Sequence, residues 1–214
     1  MNQSPRWVVL LVIISLISIF FFPSTSYANG SWLKYFRKDT LVNTYMRTYA
    51  TIDDQLWVGT YGNGLVIYTG NRTKNLNNKN TRSAPNSDDG LLSDYVTSLA
   101  YDKKKGRLWI GTNEGVASCN LGGEEWQRYV DKDGIPNNVI RDLAVDHEGA
   151  LWVGTPSGIA RFNGEEWTTY TDKNGLNQNS VHSIKVEGNA VWVGTVGGSV
   201  SRFKDGSWKL FMHY

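Results

Sequence analysis

The chain has 214 residues, 40% apolar and 20% charged, which excludes a disordered or collagen-like polymer. Lysine and arginine total 22 against 20 acids, a balance too even for a protein whose main business is the nucleic-acid backbone. One cysteine excludes a disulfide framework and any multi-cysteine metal site; the oddity is nine tryptophans and 22 glycines against five prolines.

The first 28 residues read as an address. Arg6 is their only charge, and Trp7 to Phe22 is apolar except for Ser15 and Ser18. Pro23 stops any helix, and Ser26-Tyr27-Ala28 offers small residues where a signal peptidase reads. This is the order of a secretory signal peptide, residues 1–28, cleaved after Ala28. An uncleaved anchor is the competing expectation, since the 16-residue run falls just short of a span. No later stretch of that length follows, so export to the periplasm or exterior, with no membrane span after cleavage, is expected.

From residue 29 to 214 a repeat takes over. Gly30-Ser31-Trp32 comes first, then Leu56-Trp57-Val58-Gly59-Thr60. Beyond Tyr68 a tryptophan is due near residue 73 and is absent, so 69–89 is expected to be a long degenerate loop around a decayed strand. Leu108-Trp109-Ile110-Gly111-Thr112 follows, with Gly123-Glu124-Glu125-Trp126 behind it. The third unit holds Leu151-Trp152-Val153-Gly154-Thr155 and Gly164-Glu165-Glu166-Trp167. The fourth holds Val191-Trp192-Val193-Gly194-Thr195 and Gly206-Ser207-Trp208. Eight tryptophans are therefore repeat markers and the ninth, Trp7, belongs to the signal.

Each unit reads as four short strands. In the third, 139–145 alternates in polarity, Asp146 to Gly149 makes a turn, and strands follow at 150–155, 158–162 and 166–171. Four-stranded units of roughly 40–45 residues with a tryptophan signature fit the blades of an all-β propeller, here about four antiparallel blades. A buried tryptophan removes roughly 150–250 Å² from water, an upper bound of roughly 4–6 kcal/mol. Wedged between twisted sheets, such side chains join the blades into one core. A fourth-type strand at Trp32 is surplus to the four sets of other strands. A closed four-bladed ring is the favoured expectation, and an open or dimer-completed array the next.

Asp133-Gly134-Ile135-Pro136-Asn137-Asn138-Val139, Asp146 to Gly149, Leu151 to Thr155 and Gly158 to Phe162 together resemble the two-component regulator propeller repeat. The resemblance covers residues 30 to 214. It implies a periplasmic sensor-type β-propeller that binds carbohydrate-derived or other small ligands. Many members continue into a membrane span and a histidine kinase; no kinase part is legible here, so signalling output does not carry over.

Residues recurring in register are architectural, because chemistry needs one site rather than four. Glu124-Glu125 and Glu165-Glu166 accordingly read as turn residues. Register-breaking residues are the ligand candidates: Tyr61, Asn63, Asn113 and Glu114 between second and third strands, and Asn138, Arg141, Asn179 and His182 near the starts of first strands. No catalytic residue, metal site or cofactor motif stands out; three dispersed histidines lack ligand spacing, and Cys119 reads as a buried thiol. The leading expectation is a non-catalytic module whose partner is a small molecule, a glycan or a membrane sensor protein. A propeller enzyme such as a lyase or glycan-processing protein is the alternative, and an assembly module pairing into a homo-oligomer the third.

Overall fold

The computed structural model describes residues 45–84 and 89–211, all within the compact unit Lys38–Tyr214. The expected signal peptide and the surplus strand expected at Trp32 lie outside them. Sixteen strands run in chain order. β1 (Met46–Ile52), β2 (Gln55–Thr60), β3 (Leu65–Thr69) and β4 (Arg72–Leu76) form the first sheet. β5 (Val96–Asp102), β6 (Arg107–Thr112), β7 (Gly115–Asn120) and β8 (Gln127–Tyr129) form the second. β9 (Asp142–Val145), β10 (Leu151–Thr155), β11 (Gly158–Phe162) and β12 (Trp167–Tyr170) form the third. β13 (Val181–Glu187), β14 (Ala190–Thr195), β15 (Val200–Lys204) and β16 (Ser207–Phe211) form the fourth. Each is a four-stranded antiparallel meander, and the innermost strands pack in series, β1 on β5, β5 on β9 and β9 on β13. Among the described residues the sole helical element is a 3₁₀ turn at Asp131–Asp133, and no helix is long and apolar enough to cross a membrane. This is the expected all-β propeller architecture of four four-stranded blades.

Each residue of the repeated Trp-x-Gly-Thr has its own task. Trp57, Trp109 and Trp152 lie on the sheet face turned to the next blade and are at most 3% exposed. Trp152 meets Phe203 of the fourth blade at 5.0 Å between ring centroids and Trp208 edge-on at 6.1 Å. Trp109 meets Phe162 of the third blade edge-on at 6.0 Å. The glycine is a hole for the next blade's inner strand. A Cβ on Gly59 would stand 2.5 Å from Val96 Cγ1, on Gly111 2.7 Å from Ile140 Cγ2, and on Gly154 2.6 Å from Val181 Cγ1. The threonine closes the turn between second and third strands. Thr60, Thr112 and Thr155 hydroxyls donate to the carbonyls of Gly64, Gly115 and Gly158 at 2.8, 2.8 and 2.9 Å.

Three expectations change. The 69–89 segment is not wholly loop: Arg72–Leu76 pairs with β3 as a regular strand. Thr73 holds the register place of Trp167 and Trp208, opposite Tyr68 where they face Phe162 and Phe203. Downstream, Asn77 Oδ1 accepts from the amides of Lys79 and Asn80, and Leu91 N donates to Thr81 Oγ1 at 2.8 Å. The first strand of the third unit begins at Asp142 rather than Val139, because Ile140 N donates across to Thr112 O of the second blade (2.9 Å). The favoured closed ring is not made within the described residues. β13 has no packing on β1 comparable with the serial contacts, Met46 of β1 is 37% exposed, and His182 and Ser183 of β13 face solvent.

Gly111→Ala and Gly154→Ala are expected to lower unfolding stability by about 1–3 kcal/mol through overpacking. Gly194→Ala, whose added Cβ meets only Ser183 Oγ of its own blade, is expected to cost much less. Urea denaturation of the three variants at low protein concentration checks the ordering.

Candidate functional site

The turns between second and third strands meet the connections between blades. Gly62 and Gly64 amides donate to Asp94 O at 3.0 and 2.9 Å, and Val196 N donates to Ser180 O at 2.8 Å. Tyr61 is 59% exposed and packs edge-on against Tyr95 with ring centroids 4.6 Å apart. Asn63, Asn113 and Glu114 are exposed at the turn tips; the Asn63 and Glu114 amides donate to Thr60 and Thr112 hydroxyls.

The remaining candidates divide. Asn138 and Asn179 fasten the blade connections: their Oδ1 atoms accept from Asp131 N and Asp172 N, both at 2.7 Å. Arg141 bridges two blades, its Nη1 donating to Ser180 Oγ (2.9 Å) and Val181 O (3.1 Å). His182 is exposed on β13 beside Asp142, whose charge it favours. Thus Arg141 and His182 come together with Asp142 on adjoining inner strands, whereas the two asparagines serve the scaffold and the turn-tip residues stand on successive blades.

Register reveals what the linear sequence hid. Opposite the repeat glycine, the inner strands place Thr48, Ser98, Asp142 and Ser183. A bulge in β1, β5 and β13 precedes that residue, at Arg47, Thr97 and His182, and Arg141 stands just before β9 at the matching place. The result is a polar belt of pairs, Arg47-Thr48, Thr97-Ser98, Arg141-Asp142 and His182-Ser183, at one level of the four blades. Bulges of this kind re-aim side chains beside functional sites. Thr97 Oγ1 and Ser98 Oγ are buried with no protein hydrogen-bond partner. The signal that could have found Asp142 is its alignment against Gly154, which needs the strand pairing and not the repeat spacing.

Asp142 is the acid of the belt. Its Oδ2 accepts from Ile184 N at 2.6 Å and its Oδ1 from Leu143 N at 2.9 Å. Burial pushes its carboxyl above the usual range, while those amides and His182 pull the other way. The folded state therefore holds the Asp142 proton more tightly than the unfolded chain does. Its contribution to stability is fully present below the ordinary value of 3.8 and is lost as pH rises through the raised pKa. Urea midpoints across the carboxylate range are expected to show this component in the wild type and to lose it in Asp142→Asn.

Elsewhere the chemistry is structural. Cys119, opposite Leu108, takes the place of Phe162 and Phe203, and burial pushes its thiol up to about 12. Iodoacetamide at pH 8 is expected to leave it unmodified in the folded protein and to alkylate it in denaturant, read by mass spectrometry. Glu124-Glu125 forms a turn, with Glu125 at φ 55°. A cleft of about 280 Å³ between the third and fourth blades is lined by Asp146, Glu148, Arg161, Asn189 and Asp205. Arg161 is held there by Glu148 (2.5 Å) and Asp146 (3.7 Å) and lies over Trp152. A second cleft of about 490 Å³ between the first two blades is lined by Lys74, Asn80, Glu124 and Trp126. No group of three or more His, Cys, Asp or Glu side chains among the described residues could hold a metal ion.

Residues 90–114 and 134–157 match the two-component regulator propeller family. Histidine kinase P4 of Formosa agariphila is 33% identical over 141 residues, covering 62% of this chain and 9% of the kinase. The extracellular domain of the hybrid two-component system BT3049 of B. thetaiotaomicron superimposes with a TM-score of 0.66 at 20% identity, covering 78% of this chain and 23% of that one. The extracellular domain of the one-component system BT4673 from the same organism gives 0.62 at 20% identity, over 90% and 24%. The chain thus spans about a tenth of the kinase and under a quarter of each solved domain. Together with the four Trp-x-Gly-Thr tetrads, these matches show that the chain carries two-component regulator propeller repeats and folds as β-propeller blades.

Proposed function

We propose that the chain is an exported, non-catalytic propeller module that binds a small ligand, carbohydrate-derived or of similar polarity, at the belt on its inner strands. The observation that carries the proposal is the break in the repeat at that level. Everything around the belt repeats in register, yet the belt itself holds Arg47, Thr97, Arg141 and His182, each followed by Thr48, Ser98, Asp142 or Ser183. Cationic donors, hydroxyls and one carboxylate suit a ligand rich in hydroxyl groups and bearing an acid. The extracellular placement of the solved neighbours supports export, and the kinase relative supports a membrane sensor protein as the downstream partner.

Hydrolysis by a carboxylate pair is disfavoured on the same geometry, because among the described residues the belt supplies Asp142 and no second acid at its level. The test is a thermal-shift and calorimetric panel of neutral and uronate oligosaccharides, with product analysis by mass spectrometry. Saturable stabilisation without product is the expected outcome. His182→Ala, at an exposed position, is expected to weaken binding by about tenfold while leaving the unfolding temperature of the free protein nearly unchanged. Product formation would establish the enzyme alternative instead.

A further inference from the structure

One sector of the turn face is aromatic and the rest is not. The residue after the repeat threonine is Tyr61 in the first blade and Asn113, Pro156 and Val196 in the others. The residue two places before each belt pair is Tyr45 or Tyr95 in the first two blades and Val139 or Ser180 in the last two. Three tyrosines thus fall together where the other blades carry no ring. Backbone bonds hold them there: Tyr61 N donates to Tyr45 O at 2.9 Å, and Tyr61 forms a bridge with Tyr95 of the second blade. The Tyr61 and Tyr95 rings stand edge-on, 85° apart, with centroids separated by 4.6 Å. Gly62, at φ 102°, lies beside the second ring, since a Cβ there would stand 3.9 Å from Tyr95 Cε1 and Cζ. Side chains fixed in this way lose little entropy on meeting a ligand. Yet Tyr45 remains 79% exposed, Tyr61 59% and Tyr95 40%.

The surroundings decide what such a surface can take. Two residues beyond Tyr45 stands Arg47, and two beyond Tyr95 stands Thr97, so the rings border the belt. Asn63, at the tip of the turn that carries Tyr61, is exposed, and so is Arg47. The aromatic patch is therefore small and rimmed by polar groups. A tyrosine buries roughly 150–250 Å². Three of them, already partly covered, fall short of the roughly 800 Å² that one partner gives to a standard protein interface. A single pyranose ring has the complementary form, with a face of axial C–H groups that lies on an aromatic ring and hydroxyls around its edge. Aromatic walls with a few placed polar groups are the ordinary make-up of small-molecule sites.

We infer that Tyr61 and Tyr95, with Tyr45 beside them, stack one pyranose ring of the ligand and leave its hydroxyl edge to Asn63 and Arg47. A stacked ring rests on the belt being the ligand site and adds a requirement that the belt alone does not impose. Cationic and hydroxyl groups would take an open-chain sugar acid as readily as a cyclic one, whereas an aromatic face selects the closed ring. The second and third blades carry Asn113 and Pro156 at the place of Tyr61, so the stacked ring sits at the junction of the first two blades.

Calorimetric titration of the neutral and uronate oligosaccharides into wild type, Tyr61→Ala, Tyr95→Ala, Tyr61→Phe and His182→Ala tests the stacking. The tightest saccharide is expected to weaken by at least about tenfold in both alanine variants, and Tyr61→Phe, which keeps the ring face, to recover most of that loss. Far-ultraviolet circular dichroism checks that the alanine variants stay folded. In the wild type, saturation-transfer NMR is expected to mark the axial C–H protons of one sugar ring most strongly, a readout that needs no variant. Binding that falls in His182→Ala but not in the tyrosine variants overturns the stacking and leaves the belt as the site. So does equal loss in Tyr61→Phe and Tyr61→Ala, or saturation spread evenly over the saccharide. No saturable binding of any saccharide overturns both.

Discussion

The contact on which the rest of the molecule depends is the entry of one branched side chain into the backbone gap left by a glycine on the neighbouring blade. Val96 over Gly59, Ile140 over Gly111 and Val181 over Gly154 bring the inner edge of each blade closer to the second strand of the preceding one than any residue with a Cβ would allow. That approach sets the spacing at which Trp57, Trp109 and Trp152 reach the facing sheet and become buried. Interiors are packed to near-crystal density, so a spacing fixed at one point propagates outward to the whole face. The tryptophans are among the largest side chains buried there, but the glycine decides where that apolar area comes to rest. The threonine that follows closes a turn whose position is thereby fixed, and this explains why three such different residues travel together as one motif.

The blades themselves were legible in the sequence for this reason. A packing solution used several times must be written several times, and Trp-x-Gly-Thr is the written form. Strand pairing is a different kind of information. Asp142 could not be singled out from spacing, because its meaning lies in standing opposite Gly154 just after the inter-blade contact of Arg141. Asn138 and Asn179 read as register-breaking ligand contacts, yet they recur at the same connection, where their side chains accept backbone amides and hold the loop. Arg72–Leu76 read only as a decayed strand within a loop because Thr73 stands where the tryptophan was due. The ladder to β3 persists without it, since backbone hydrogen bonds do not need that side chain.

Ring closure was also beyond spacing, because it depends on what the two end blades meet. Trp192 has the sequence context of Trp152 and a different environment: Trp152 is fully buried among Phe203, Tyr170 and Trp208, while Trp192 rests on Phe211 and Arg202 of its own blade. A repeat motif specifies one half of a contact. The other half must be supplied by whatever comes next.

This separates two kinds of variation along the chain. Substitutions at the glycine or tryptophan positions are opposed by packing on two blades at once and those at the threonine by loss of the turn it closes, so these positions are poor places for chemistry to diversify. The bulge residues before the inner-strand register sites are under no such constraint, because a bulge releases its side chain from the ladder. Arg47, Thr97 and His182 occupy such places, with Arg141 at the matching one, and they differ in charge, size and hydrogen-bonding capacity. A binding surface assembled there can change its ligand without disturbing the inter-blade core.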